Sequence, residues 1–182
     1  LIYREILRSF FYNKDRDIHY RYNFHHQISF SDSAFDGYYA VDTELSFDKV
    51  LQNDYFIVAC AASDEVLQRY LKRSDVEYRW LMDDAFNLDG ESFCVSSVML
   101  YELALTAEIS HKANCLEIRC SHPELKHLVG KMAHFTVNTK TLYPKASHQL
   151  SVFITELTKG VFVSFKYPAD MKRVECVPVF SG

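Results

Sequence analysis

The sequence predicts one α+β domain with a largely antiparallel sheet and helices flanking it at its ends. Three observations carry that prediction. Several segments alternate apolar and polar residues at the strand period, and 92–105 is the longest of them. Others, above all 121–135, space apolar residues by three and four behind a capping signal. The 182 residues are 48% hydrophobic and 15% aromatic and contain no linker, repeat or low-complexity stretch, which describes one domain with ample core.

Residues 1–12 (LIYREILRSFFY) put Leu1, Ile2, Ile6, Leu7, Phe10 and Phe11 near one helical face. From 17 to 30 the period changes. Ile18, Tyr20, Tyr22 and Phe24 alternate with His19, Arg21 and Asn23, which predicts a half-buried strand. Ser31 to Gly37 is a turn-rich break, Tyr38 to Val41 a further strand, and 54–62 an apolar run of strand length. Ser63, followed by Asp64 and Glu65, caps a short helix through Arg73, with a strand hairpin as the competing reading. Val76, Tyr78, Trp80 and Met82 alternate, and Asn87 to Gly90 is a turn. Phe93, Val95, Ser97, Met99, Tyr101, Leu103 and Leu105 form the longest alternation, and Leu116, Ile118 and Cys120 a short strand. Ser121-His122-Pro123-Glu124 is a capping box with proline in the first turn. It predicts a helix with Leu125, Leu128, Val129, Met132 and Phe135 on one face. A second helix starts near Pro144, with Ala146, Leu150, Phe153 and Leu157 inward and Gly160 at its C-cap. Val161, Val163 and Phe165 follow as a strand.

Composition excludes several functions. The five glycines are scattered, so neither a dinucleotide-binding G-x-G-x-x-G turn nor a phosphate loop can form. The net charge of -4 and the lack of any Lys/Arg run longer than two argue against direct nucleic-acid binding by this segment. No apolar stretch approaches membrane-spanning length and no signal peptide is visible, so no membrane partner is expected and cytoplasm is the default compartment. The chain begins with Leu1 inside a helical pattern, which reads as a piece of a longer protein. Cys60, Cys94, Cys115, Cys120 and Cys176 are an odd set without a disulfide framework, and the first four, in apolar strand-like runs, read as reduced, buried thiols.

Candidate chemistry is sparse. His127 and His134 on one predicted helix are too far apart to share a zinc ion, so with Glu124 and Lys131 they read as a solvated stripe. His25 and His26 are neighbours in a strand and must face opposite ways. Cys115 and Cys120 form neither a zinc knuckle nor a redox pair, no G-x-S-x-G elbow exists, and Asp83-Asp84 adjoin a turn signal, where Asp is expected. No catalytic residue, metal site or cofactor is therefore assigned. Tyrosines on alternating faces (Tyr20, Tyr22, Tyr78, Tyr101) combine bulk with a polar tip and suit a mixed-polarity pocket or an interface.

One stretch is similar to a known family. Residues 101–129, YELALTAEISHKANCLEIRCSHPELKHLV, resemble the closing strands of the N-terminal effector-binding domain of AraC/XylS-type transcription regulators. REILRSFF (4–11) is similar to that family's opening helix and DYFIVAC (54–60) to its first central strand. The resemblance implies a barrel-like sheet and a regulatory domain that senses a small apolar or amphipathic effector or a protein partner, with homodimerisation as an accompanying property. The helix-turn-helix of that family is not found in this segment. Candidate ligand-binding residues are His25, Arg79, Trp80 and Tyr101. The order of elements is also similar to acyl-CoA-dependent N-acyltransferases, whose cofactor pyrophosphate would sit at the helix opened by Ser121. There, His122-Pro123-Glu124-Leu125 stands in place of that family's glycine loop. A protein-interaction module without a small ligand is the third reading.

Overall fold

Alternating segments dominate the chain and become strands. The computed structural model describes residues 20–82, 92–147 and 149–171, together with Glu175 and Val177. About 60% of them lie in strands. These are β1 (Tyr20–Asp32), β2 (Tyr38–Val50), β3 (Tyr55–Ala61), β4 (Val76–Leu81) and β5 (Phe93–Leu100). Then come β6 (Leu103–Ala104), β7 (Thr106–Lys112), β8 (Cys115–Ser121), β9 (Met132–Pro144) and β10 (Leu157–Lys166). One α-helix, α1 (Asp64–Leu71), lies among the described residues, and Pro123–His127 is a 3-10 turn.

The strands form a six-stranded sheet in the order β10-β1-β2-β9-β5-β6 and a four-stranded sheet in the order β4-β3-β8-β7. All neighbours are antiparallel except β1 with β10 and β3 with β4. Parallel β3 and β4 need a crossover, and α1 supplies it. In β2, Val41, Leu45 and Phe47 are buried at the strand period, while Asp42 and Glu44 between them are exposed. Such inward sets from both sheets share one core. Phe135 stacks on Phe47 at 4.9 Å and meets Phe56 of the other sheet edge-on at 5.3 Å. Tyr78 of the smaller sheet hydrogen-bonds the Thr43 and Thr139 hydroxyls of the larger one at 2.9 and 3.0 Å. On its other face the smaller sheet packs Ile57, Ala59, Val76 and Cys115 against Tyr70 of α1. The layers are therefore sheet, sheet and helix.

This is sheet-dominated rather than an α+β sheet with flanking helices, and each sheet has two end strands, so no barrel closes among the described residues. The helix predicted from the capping box stops after one 3-10 turn. His122, not Ser121, caps it, its Nδ1 accepting from the Glu124 amide at 3.2 Å. Gly130, at φ +80°, breaks the turn, and from Met132 the strand period wins: Ala133, Phe135, Val137 and Thr139 point inward. His127 and His134 consequently sit on different elements, a turn and a strand. The helix predicted from Pro144 is instead an irregular strap leading into β10. Gly160 lies within β10 and is no C-cap. A Cβ there would meet the Asn23 backbone at 3.7 Å, beside a bulge in β1. The helix expected over 1–12 and the turn at 87–90 lie outside the described residues.

The predicted α1 is present but ends at Leu71 rather than Arg73. Ser63 accepts the Val66 amide at 3.4 Å, and Asp64 and Glu65 occupy the positive end of the helix dipole. Ser63→Ala is expected to lower stability by about 1 kcal/mol in urea unfolding. An unchanged midpoint would mean that packing of Leu67 and Tyr70 alone holds the helix.

Candidate ligand site between the two sheets

Three buried charges and one partly buried charge stand together at one end of the sandwich. Arg21 comes from β1, Lys49 from β2, Glu77 from β4 and Glu156 from the strap just before β10. Arg21 points inward because Asn23, at φ +53°, sits in a bulge that shifts the register between Tyr22 and His25. The extra residue lets Arg21 and Phe24 share the inner face. Lys49 points inward by continuing the alternation of Leu45 and Phe47. Glu77 bridges both cations, with Oε2 2.6 Å from Arg21 Nη2 and Oε1 2.7 Å from Lys49 Nζ. Glu156 bridges them again, Oε1 at 2.8 Å from Lys49 Nζ and Oε2 at 3.2 Å from Arg21 Nε. That last contact is too poorly aligned to be a hydrogen bond, and both its atoms lack one. Two cations and two carboxylates sum to zero, which is how such buried charge is tolerated. The Arg21 guanidinium also lies over the Phe47 ring at 4.5 Å.

Beside this ring lies a cavity of about 10 Å³, room for one water molecule. Its walls include Arg21, Phe24, His26 and Trp80, and the strap residues Ser151, Val152 and Phe153 roof it. His26 is 4% exposed, and neither ring nitrogen has a hydrogen-bond partner among the described residues. Burial, with His25 next to it, pulls the His26 imidazole down to about 4, so it is neutral in the fold. An unfolded imidazole titrates near 6.5, so the unfolded chain takes up that proton first as pH falls. Stability from this group is full above about pH 6.5 and is lost progressively toward pH 4, by on the order of 3 kcal/mol. His26→Leu is expected to flatten that part of a plot of urea midpoint against pH; an identical slope would contradict a neutral buried imidazole.

Of the four ligand-binding residues expected from the sequence, Arg79 and Trp80 meet at this cavity. Trp80 is buried and stacks on Tyr78 at 6.5 Å. Arg79 spends its guanidinium on the end of α1, donating to the carbonyls of Tyr70 and Arg73 at 2.9 Å each. Burial and nearby Arg21 lower it to about 10, which leaves it charged at neutral pH. His25 is directed away from the cavity, edge-on to Phe162 of β10 at 4.8 Å. Tyr101 lies at the β5–β6 turn, 54% exposed, its hydroxyl donating to the Met132 carbonyl at 2.7 Å. The structure thus separates His25 and Tyr101 from the other two. It adds Arg21, His26, Lys49, Glu77 and Glu156.

Other clusters offer less. His134 Nδ1 lies 2.7 Å from Asp48 Oδ1, and Asn23 donates to the other Asp48 oxygen at 2.6 Å. Burial alone would raise the Asp48 carboxyl, but the Asn23 and His134 hydrogen bonds outweigh it and hold it below the usual range. No hydroxyl or thiol among the described residues hydrogen-bonds His134, so this pair lacks a nucleophile. Burial pushes the Cys60 and Cys115 thiols up, and Cys120 up to about 12, so none of the three supplies a thiolate at neutral pH. Cys115 and Cys120 face opposite sides of their sheet, and Cys94, expected to be buried, is exposed on β5. Among the described residues no group of three His, Cys, Asp or Glu could hold a metal ion, and no helix is long and apolar enough to cross a membrane. Tyr20, Tyr22, Glu44 and Lys140 complete a mostly polar outer face. No protein-family model matches the chain, and no curated protein matches it.

Proposed function

We propose that this is a non-catalytic sensing domain that takes a guest between its two sheets, beneath the strap of residues 149–156. One observation carries the reading. Buried polar atoms without partners, on His26 and Arg21, line a small cavity roofed by a segment that belongs to no strand, and a third, Glu156 Oε2, lies 3.2 Å from Arg21 Nε. Buried donors and acceptors without partners cost free energy in an apolar surround, so a guest that pairs them gains what the unliganded fold lacks. The cavity admits only a water molecule as it stands, so a larger guest must lift the strap. Strap down and strap up are then two states, and a guest that fits only one of them shifts the balance.

The resemblance to AraC/XylS-type regulators supplies the use of such a switch: occupancy in this domain is read by another segment of the protein. The acyltransferase reading is weaker. The element meant to cradle a pyrophosphate is a five-residue 3-10 turn with Glu124 in its first turn, and a carboxylate there repels phosphate. A thermal-shift screen of the full chain against small acids, amides, alcohols and fatty acids tests the proposal. At least one class is expected to raise the melting point in proportion to the logarithm of its concentration. A flat response from every class would contradict it.

A further inference from the structure

We propose that Arg21 and Lys49 form a carboxylate-binding site whose resident occupant is the strap's own Glu156, and that the guest carries a carboxylate on an apolar body and displaces it. This rests on the sensing role above and names the chemistry of its ligand. The two carboxylates of the ring do the same job from different supports. Glu77 is built into β4, whose next residue, Tyr78, is tied to Thr43 and Thr139 across the sandwich. Glu156 comes from a segment without strand pairing, its side chain is 14% exposed against 7% for Glu77, and its contact with Arg21 Nε fails as a hydrogen bond. Glu156 is therefore the exchangeable carboxylate of the two.

Charge decides what can replace it. With Glu156 withdrawn, Arg21 and Lys49 face Glu77 alone and the ring keeps one uncompensated positive charge. An uncompensated buried charge is strongly unfavourable, so the strap cannot leave unless another anion arrives or water floods the site. A guest carboxylate exchanges one ion pair for a similar one, and strap release and acid binding become a single event. Arg79 nearby adds positive potential. The rest of the guest meets Phe24, Trp80 and the space now held by Val152 and Phe153, all apolar or aromatic. His26, neutral and without partners, offers one donor and one acceptor to a hydroxyl or carbonyl on that body.

Calorimetry on the full 182-residue chain with phenylacetate, 4-hydroxyphenylacetate and octanoate, each paired with its neutral amide, tests this. The acids are expected to bind and the amides not. Glu156→Gln removes the competing charge while keeping the shape, and should tighten acid binding by about tenfold, a change of about 1.4 kcal/mol. Glu156→Asp, which keeps the charge but shortens its reach, should fall between wild type and Glu156→Gln and serves if the glutamine variant does not fold. Equal binding of acids and amides would overturn the carboxylate site and leave the sensing role standing. Acid binding unchanged by both substitutions would also overturn it. No binding by any compound to wild type or to either variant would overturn the carboxylate site, and a flat thermal-shift screen beside it would overturn the sensing role as well.

Discussion

Glu77→Leu is expected to destabilise the fold by about 3–5 kcal/mol, because it leaves Arg21 and Lys49 buried with Glu156 as their sole counter-charge. Both cations are 1% exposed, so neither can reach water without disturbing the sandwich. Replacing the whole ring together (Arg21→Met, Lys49→Met, Glu77→Leu, Glu156→Leu) is expected to be neutral or to stabilise by about 1–4 kcal/mol, since no charge is then left unpaired. Guanidinium unfolding of both variants checks the pair of statements. A quadruple variant as unstable as Glu77→Leu would mean that packing around these stems, and not charge balance, holds this end of the molecule. A ring that contributes little to stability is better explained by a binding role than by a structural one.

Phe135→Ala is expected to cost about 3–5 kcal/mol, the range for a fully buried aromatic residue. Phe135 lies where the sheets meet, stacked on Phe47 in its own sheet and edge-on to Phe56 in the other. The loss should therefore be non-additive with Phe56→Ala, with a coupling of about 0.5–3 kcal/mol in a double-mutant cycle. A cost below about 1.5 kcal/mol would show that the two sheets do not share the core described above.

Much of the sheet was legible because one-sided burial writes a period of two into the sequence. β3 and β4 follow their alternating or apolar runs closely, and Trp80 and Arg79 reached the candidate site from one such run, whereas the alternation over 92–105 breaks: a bulge between Val95 and Ser97 turns Val98 and Leu100 inward instead of Ser97 and Met99, and β5 ends before the exposed Tyr101. The phase of β1 was misread. Counting Tyr20, Tyr22 and Phe24 as one face ignores the bulge at Asn23, a residue type that tolerates positive φ, and so placed Arg21 outside. Lys49 had a visible signal. The alternation Tyr39, Val41, Thr43, Leu45, Phe47 leads straight to it, but the predicted strand stops at Val41, short of the charged residues that interleave the rest. Before β9 a strong local cap at His122 competed with a strand pattern that starts at Met132, and pairing with β2 and β5 on both sides decided for the strand. Glu156 carried no local signal at all. Its partner Lys49 stands 107 residues away, and only the folded chain brings the two together.

In the proposed role the strap of residues 149–156 is a releasable cover over a binding basin and not a fixed part of the core. Amide hydrogen exchange on the free protein, followed residue by residue, distinguishes the two. The strap is expected to exchange through local opening, orders of magnitude faster than the central strands β2 and β9, and saturating carboxylate is expected to change its protection without altering theirs. Strap amides as slow as β2 and β9, and unmoved by any acid, would contradict it.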